Sequence, residues 1–209
     1  MKILVLGATG ATGRLIVKQA LADGHAVGAL VRSKARATDL AGAELVEGDA
    51  RDATALTRAV AGCDAVVSSL GTPMSPFREV TMLSTATRAL VGVMAKQNIR
   101  RLVCITGMGA GDSRGHGGFF YDWLFQPLML RKVYEDKDRQ EDVVRASALD
   151  WIIVRPTMLN DKPARGHIRA LTDLSGVHGG TIARADVADF VVQQLTADAW
   201  LRKTPLITW

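Results

Sequence analysis

A short apolar run, Ile3-Leu4-Val5-Leu6, passes without a break into Gly7-Ala8-Thr9-Gly10-Ala11-Thr12-Gly13, and no other feature of the chain limits its fold so sharply. A buried strand that turns through glycines into a helix is how a protein grips a dinucleotide pyrophosphate. The first glycine permits the tight turn, the middle one lets backbone N–H groups approach the phosphates, and the last lets the helix pack closely on the strand. The spacing is G-x-x-G-x-x-G, whereas the commonest dinucleotide fingerprint is G-x-G-x-x-G. Glycine-rich turns also close ordinary strand–helix junctions. Here strand, turn and amphipathic helix come in the order that the ligand needs.

Beyond the turn, strands alternate with helices, which predicts an α/β fold: a Rossmann-type, doubly wound parallel sheet with helices on both faces, in a single domain over residues 1–209. Strands are expected near 2–7, 26–31, 43–47, 64–69, 100–106 and 150–155, with helices near 11–23, 52–61, 77–97, 131–147 and 185–196. The third helix carries a start signal in Ser75 as N-cap with Pro76 at its first position, followed by Val80, Leu83, Thr87, Leu90, Val91 and Met94 at helical spacing. A last strand, 205–208, is expected to close the sheet edge.

Composition excludes several classes. The 209 residues are 48% hydrophobic, enough for one core, and no run of about 18 apolar residues suggests a membrane span. The chain opens directly on a core strand, which leaves no room for a secretory signal and makes a cytoplasmic protein the expectation. Cys63 and Cys104 lie in apolar contexts and read as reduced packing residues, and His25, His116, His167 and His178 show no metal-ligand spacing. The net charge of +5 comes from scattered basic residues without interleaved aromatics, so nucleic acid is not expected as a partner.

The residues after the second strand decide which dinucleotide is expected. An acid about 20 residues beyond the glycines would hold the ribose 2'-hydroxyl of NAD. This strand instead runs into Arg32-Ser33-Lys34-Ala35-Arg36. A guanidinium and a hydroxyl suit a 2'-phosphate, each charge-assisted hydrogen bond being worth roughly 1.5–3 kcal/mol, so NADP(H) is expected over NAD(H) by tens-fold or more. A solvated basic loop is the alternative. Gly48-Asp49-Ala50 after the third strand would face the adenine, with Asp49 accepting from its amino group, and Leu70-Gly71-Thr72 after the fourth would face the cofactor's middle.

These motifs, with Gly62-Cys63-Asp64-Ala65-Val66-Val67, Asp150 to Pro156, and Ala183-Arg184-Ala185-Asp186-Val187-Ala188, resemble the atypical short-chain dehydrogenases that include the biliverdin-IX-beta (flavin) reductases and the NmrA-like NADP-binding proteins. The resemblance implies that Arg32 and Ser33, with Arg36 nearby, meet the 2'-phosphate. It places Asp49 on the adenine side and Leu70 and Gly71 near the cofactor's centre. Thr106, Gly107 and Met108 would border the nicotinamide with Pro156, Thr157 and Met158. Reductases of the biliverdin type carry a serine where this chain has Gly107, which leaves Thr106 as the hydroxyl there.

The Tyr-x-x-x-Lys pair of ordinary short-chain dehydrogenases, whose lysine lowers the tyrosine pKa for proton exchange, is matched only by Tyr134-Glu135-Asp136-Lys137, one residue too close. Ordinary carbonyl reduction is weakened accordingly. Lys137 is expected at the cofactor ribose or nicotinamide, with a solvated Lys137–Glu141 pair as the alternative. The insert at 108–130 holds Phe119, Phe120, Tyr121, Trp123 and Phe125, five of the chain's eleven aromatics, behind a glycine-rich stretch. It reads as a substrate lid or as a packing or subunit contact. Thr106, Lys137 and Tyr121 are the catalytic candidates, and His116 is expected to be solvated.

The function expected is NADPH-dependent hydride transfer to a small planar conjugated acceptor such as a flavin, quinone or tetrapyrrole, by a monomer or homodimer without metal. A non-catalytic NADP sensor of the NmrA type is the alternative, and an epimerase or dehydratase a weaker one. Such acceptors delocalise the incoming charge, so positioning matters more than a strong protein acid.

Overall fold

The computed structural model describes residues 1–75, 77–118 and 121–209, with the backbone alone at 121 and 125. Five strands of consecutive apolar residues form its centre: β1 (Lys2–Leu6), β2 (Ala26–Val31), β4 (Ala65–Ser68), β5 (Arg101–Ile105) and β6 (Asp150–Pro156). Strands buried on both faces lack polar–apolar alternation, as in parallel sheets covered by helices. With β3 (Glu44–Glu47), β8 (Arg169–Leu171) and β10 (Leu206–Thr208) they make an eight-stranded sheet in the order β3-β2-β1-β4-β5-β6-β10-β8. All pairs are parallel except β10 with β8. The edge strand β3 begins and ends in exposed glutamates, which discourages edge-to-edge pairing.

The helices divide between the two faces. α1 (Ala11–Ala22) and α5 (Arg184–Gln193) bury Ile16, Val17, Val187 and Val191 against one side, with Val5, Val67, Val103 and Ile152 beneath them. α2 (Ala53–Ala59), α3 (Met82–Lys96) and α4 (Arg131–Arg145) cover the other, where Leu56, Leu90, Met94 and Val144 pack on Leu4, Val66, Leu102 and Ile153. The doubly wound parallel sheet read from the sequence is the fold found.

Several details differ. The third helix begins at Met82, not near residue 77: Ser75 Oγ donates instead to the Arg78 carbonyl at 3.0 Å, and Thr81 stands at the N-cap without a side-chain bond. Pro76 lies outside the described residues. The first-turn amides are served from a distance by Asp136 of α4, whose carboxylate accepts from Leu83 N (2.8 Å) and Ser84 Oγ (2.5 Å). A long-range cap cannot be read from local spacing. The last strand is interior, because β10 pairs with β6 on one side and β8 on the other, so β8 forms the edge. Two further short strands, β7 (Met158–Asn160) and β9 (Thr181–Ala183), pair beside the main sheet.

Asp136 is fully buried, and hydrogen bonds to a charged group contribute about 1.5–3 kcal/mol. Asp136→Ala is therefore expected to lower the urea unfolding free energy by about 3 kcal/mol, whereas an unchanged midpoint and slope would show that α3 does not depend on this cap.

Candidate functional site

The carboxyl ends of the parallel strands gather the predicted site residues along one rim of the sheet, where open α/β sheets bind their ligands. At the first turn Gly7 has φ +75°, and a Cβ on it would stand 2.3 Å from the Ser69 carbonyl oxygen; a Cβ on Gly13 would stand 2.1 Å from the Gly7 oxygen. The backbone after β4 thus lies against the glycine turn, which brings Leu70, Gly71 and Thr72 beside it. Thr9, Gly10, Ala11 and Thr12 are exposed or half-buried, and Gly10, the N-cap of α1, offers no side-chain cap to the helix amides. Unsatisfied N–H groups and the positive end of the helix dipole form an anion site there, which fits a pyrophosphate.

After β2, Arg32 and Arg36 are exposed and Ser33 half-buried ahead of a 3-10 turn, Lys34–Arg36. Sequence reading found no acid here. The structure supplies one from the neighbouring strand, since Glu47 at the end of β3 accepts from Lys34 N at 3.2 Å. Beyond β3, Asp49 and Ala50 are half-buried. The Asp49 carboxylate is held by the Arg51 guanidinium at 2.7 and 3.0 Å and by Arg51 N at 2.8 Å. Those bonds hold its pKa down at about 2, and the positive charge of Arg32 adds to the effect.

The end of β5 is the most constrained part of the rim. Thr106 Oγ1 donates to Glu141 Oε1 at 2.8 Å, and Lys137 Nζ donates to the Thr106 carbonyl. Tyr134, nearly buried, turns its hydroxyl onto the Met108 carbonyl at 2.8 Å, and its ring lies 5.6 Å from Lys137 Nζ. Burial pushes the Lys137 pKa down to about 8. The solvated Lys137–Glu141 pair considered from sequence is not found, because Glu141 is buried against Arg155, with bonds of 2.9 and 2.5 Å, and Arg155 also reaches Asp112 at 2.5 Å. A lone arginine in an otherwise apolar strand is the signal that would have exposed this network, since a buried charge must be paired.

On the opposite side of this corner, Met108 is buried with its amide on the Pro156 carbonyl, and the Thr157 hydroxyl is spent on Thr208 at 3.1 Å, while Met158 is exposed. The first part of the 108–130 insert is tied down: Gly111 N and Arg114 bind Asp138, Gln126 donates to the Gly109 carbonyl, and the His116 ring lies 3.0 Å from the Val177 carbonyl. His116 is therefore anchored and not a solvated loop residue. A π-helix, Tyr121–Leu130, follows. Together with α4 it borders a half-open cavity of about 520 Å³ lined by Arg114, Asp122, Trp123, Gln126, Pro127, Arg131, Tyr134 and Glu135. The catalytic candidate Tyr121 lies at the first position of this helix, but its side chain, like that of Phe125 and like Phe119 and Phe120 altogether, is outside the described residues.

A nicotinamide dinucleotide is the ligand to which this rim points, and the wider comparison agrees. Residues 7–198 match the NAD(P)H-binding family, to which the chain belongs. Among relatives, an uncharacterized sugar epimerase of Bacillus subtilis, YhfK, is 30% identical over 93% of this chain and 88% of its own. A (4-alkanoyl-5-oxo-2,5-dihydrofuran-3-yl)methyl phosphate reductase of Streptomyces griseus is 32% identical over 74% of this chain and 46% of its own. Among solved structures, ChuY, an anaerobillin reductase of Escherichia coli O157:H7, superposes with a TM-score of 0.83 over 100% of this chain and 97% of that one, at 26% identity.

Lys137 gives a pH dependence of definite sign. Its folded pKa of about 8 lies below the ordinary 10.5, so between those values the unfolded chain holds the extra proton and stability rises with pH. Below about pH 8 both states carry the charge and the desolvation penalty is fully felt. Urea unfolding of wild type and Lys137→Met should show the wild type gaining on the variant between pH 8 and 10.5; a constant difference over that window would refute the assignment.

Proposed function

We propose that this protein is an NADPH-dependent reductase that delivers hydride to a planar conjugated acceptor such as a flavin, a quinone or a linear tetrapyrrole. The observation that carries this reading is the corner after β5. The Tyr134 hydroxyl is committed to the Met108 carbonyl and Lys137 to the Thr106 carbonyl, so among the described side chains no phenol stands ready to exchange a proton with an alcohol or ketone. Next to that corner is a cavity with flat aromatic and apolar walls, in the size range of small-molecule sites.

A reduced nicotinamide, when bound, supplies the hydride. The acceptor takes both electrons and delocalises the charge, and water supplies the accompanying proton. The chain's own residues do the positioning. The amides of Thr9 and of Ala11 to Gly13 hold the pyrophosphate, Leu70 to Thr72 and Ala50 line the path of the cofactor, and Asp49, kept ionised by Arg51, accepts from the adenine edge. Thr106, Gly107, Met108, Pro156, Thr157 and Met158 border the nicotinamide, with Lys137 beside Thr106. Residues 108–118 form a fixed floor, and the π-helix with Tyr121 at its start acts as the wall or lid over the acceptor. The reductase named among the relatives and the anaerobillin reductase among the structures support this chemistry. We read the protein as cytoplasmic, a monomer or homodimer, with no nucleic-acid partner.

The experiment is to follow NADPH oxidation with FMN, riboflavin, a benzoquinone, biliverdin and an aldehyde. Turnover of the planar acceptors and not of the aldehyde supports the reductase; tight NADPH binding with no acceptor reduced would replace it with an NADP sensor of the NmrA type.

Cofactor preference has its own test. We assign the 2'-phosphate to Arg32, Ser33 and Arg36, where a charge-assisted bond is worth roughly 1.5–3 kcal/mol, so Arg32→Ala should raise the Kd for NADPH about ten- to hundred-fold and leave that for NADH nearly unchanged. Glu47, a carboxylate at the same loop, opposes a phosphate, so Glu47→Gln should tighten NADPH in the same titration. Equal losses for both cofactors in Arg32→Ala would sink the assignment.

A further inference from the structure

Asp122 stands apart from the other charged residues that line the cavity beside Tyr134. Glu135 is neutralised twice, by Arg131 at 2.9 Å and Lys132 at 3.0 Å. Asp122 Oδ1, by contrast, is buried and has no hydrogen-bond partner among the described residues. A carboxylate oxygen withdrawn from water without a donor is costly to a fold, and native proteins keep such groups where a ligand or ordered water completes them. Asp122 lines the cavity from the first turn of the π-helix, where its N bonds the Gly118 carbonyl, so a modest turn of its side chain would bring the unpaired oxygen to a ligand there.

The same cavity offers the opposite polarity. Arg131 spends its Nε on Glu135, and a guanidinium carries five N–H donors, so among the described residues its outer fork is left for carbonyl oxygens. The same lining includes Trp123, Pro127 and Tyr134, and Tyr134 is also the residue that bonds the strand end at Met108. A ligand that satisfies this site is flat, takes hydrogen bonds at a carbonyl, and gives one from a ring nitrogen.

We infer that this cavity is the acceptor site and that Asp122 selects acceptors presenting a ring N–H beside a carbonyl, the pattern of an isoalloxazine imide or a linear-tetrapyrrole lactam, over quinones. A quinone presents carbonyl oxygens alone and would set them against the Asp122 carboxylate. The inference rests on the reductase reading for the role of the ligand as hydride acceptor, and it divides the acceptor classes that the reading leaves together.

Equilibrium titration without NADPH tests it, with lumiflavin, N3-methyl-lumiflavin, biliverdin and menadione as probes, on wild type, Asp122→Leu and Asp122→Ala. The alanine variant guards against a leucine that merely blocks the cavity, and unchanged NADPH affinity reports an intact fold. Wild type should bind lumiflavin or biliverdin, the two arms showing which, at least tenfold more tightly than either variant does. Where lumiflavin is the ligand, its N3-methyl derivative should lose the same factor already in wild type. Menadione should bind both variants at least as tightly as it binds wild type. The inference is overturned if substitution of Asp122 leaves the N–H ligands unaffected, if menadione weakens equally, if N3-methylation costs a bound lumiflavin nothing, or if neither N–H probe binds. Turnover of these acceptors without dependence on Asp122 would leave the reductase standing and remove this inference; Asp122-dependent binding without any NADPH oxidation would do the reverse.

Discussion

The buried ion pair between Glu141 and Arg155 is the interaction on which the geometry of the site depends. Both side chains are almost wholly withdrawn from water, at 2% and 1% exposure. The carboxylate is filled: Oε1 accepts from Thr106 Oγ1 and Arg155 Nε, and Oε2 from Arg155 Nη2 and Arg145. Because Arg155 also binds Asp112, one network joins the end of β5, strand β6, helix α4 and the first turn of the insert. Such a pair is poor evidence of net stability, since desolvation offsets most of the attraction, but removing one partner strands a buried charge at a cost of about 3–5 kcal/mol. What the network provides is position. With its single proton given to Glu141, the Thr106 hydroxyl can only accept from anything else, which makes it unsuited to act as an acid and suited to receive an N–H.

The two ends of the rim are built on different physics. At the glycine turn the fit is steric: backbone passes over backbone so closely that no side chain could be placed at Gly7 or Gly13, and what remains facing outward is a set of helix amides. Such amides would meet a phosphate by charge and direction without titrating. At the β5 corner the fit is electrostatic, made of Lys137, Glu141, Arg155 and two backbone carbonyls, and it responds to pH because burial has already moved Lys137 down to about 8. A dinucleotide lying along this rim would thus be anchored by a rigid end and aligned by a tunable one.

How much of this was legible in the sequence follows from the range of each interaction. Ile3 to Gly13 are contiguous, so strand, turn and helix could be read together, and the parallel sheet followed from apolar runs separated by helices. The long-range partners could not be read. Asp136 caps α3 from 53 residues away, which is why the third helix starts later than Ser75 and Pro76 suggest. Glu47 reaches the loop after β2 from the neighbouring strand, so the absence of an acid in the local sequence did not mean its absence in space. The pairing of β10 between β6 and β8 likewise depends on tertiary register. Arg155 was the exception that a stricter reading would have caught, because a charge inside Trp-Ile-Ile-Val-Arg-Pro demands a buried partner whatever the fold.

The change from serine to Gly107 and the shortened Tyr134–Lys137 spacing, read separately from the sequence, become one feature in the structure. Gly107 has φ +150°, and a Cβ there would lie 3.4 Å from the Tyr134 hydroxyl and 3.6 Å from Lys137 Nζ. Space for a small side chain exists, but the backbone conformation is one that L-residues rarely adopt. That conformation accompanies a strand end whose carbonyls, at Thr106 and Met108 on either side of Gly107, receive Lys137 and Tyr134. A spacing of three places both side chains over neighbouring carbonyls of one short segment, with the glycine between them. The pair has thereby become a clamp on the backbone, and under the proposed function a segment held in that way would keep a cofactor ring and a flat acceptor in register without contributing an acid of its own.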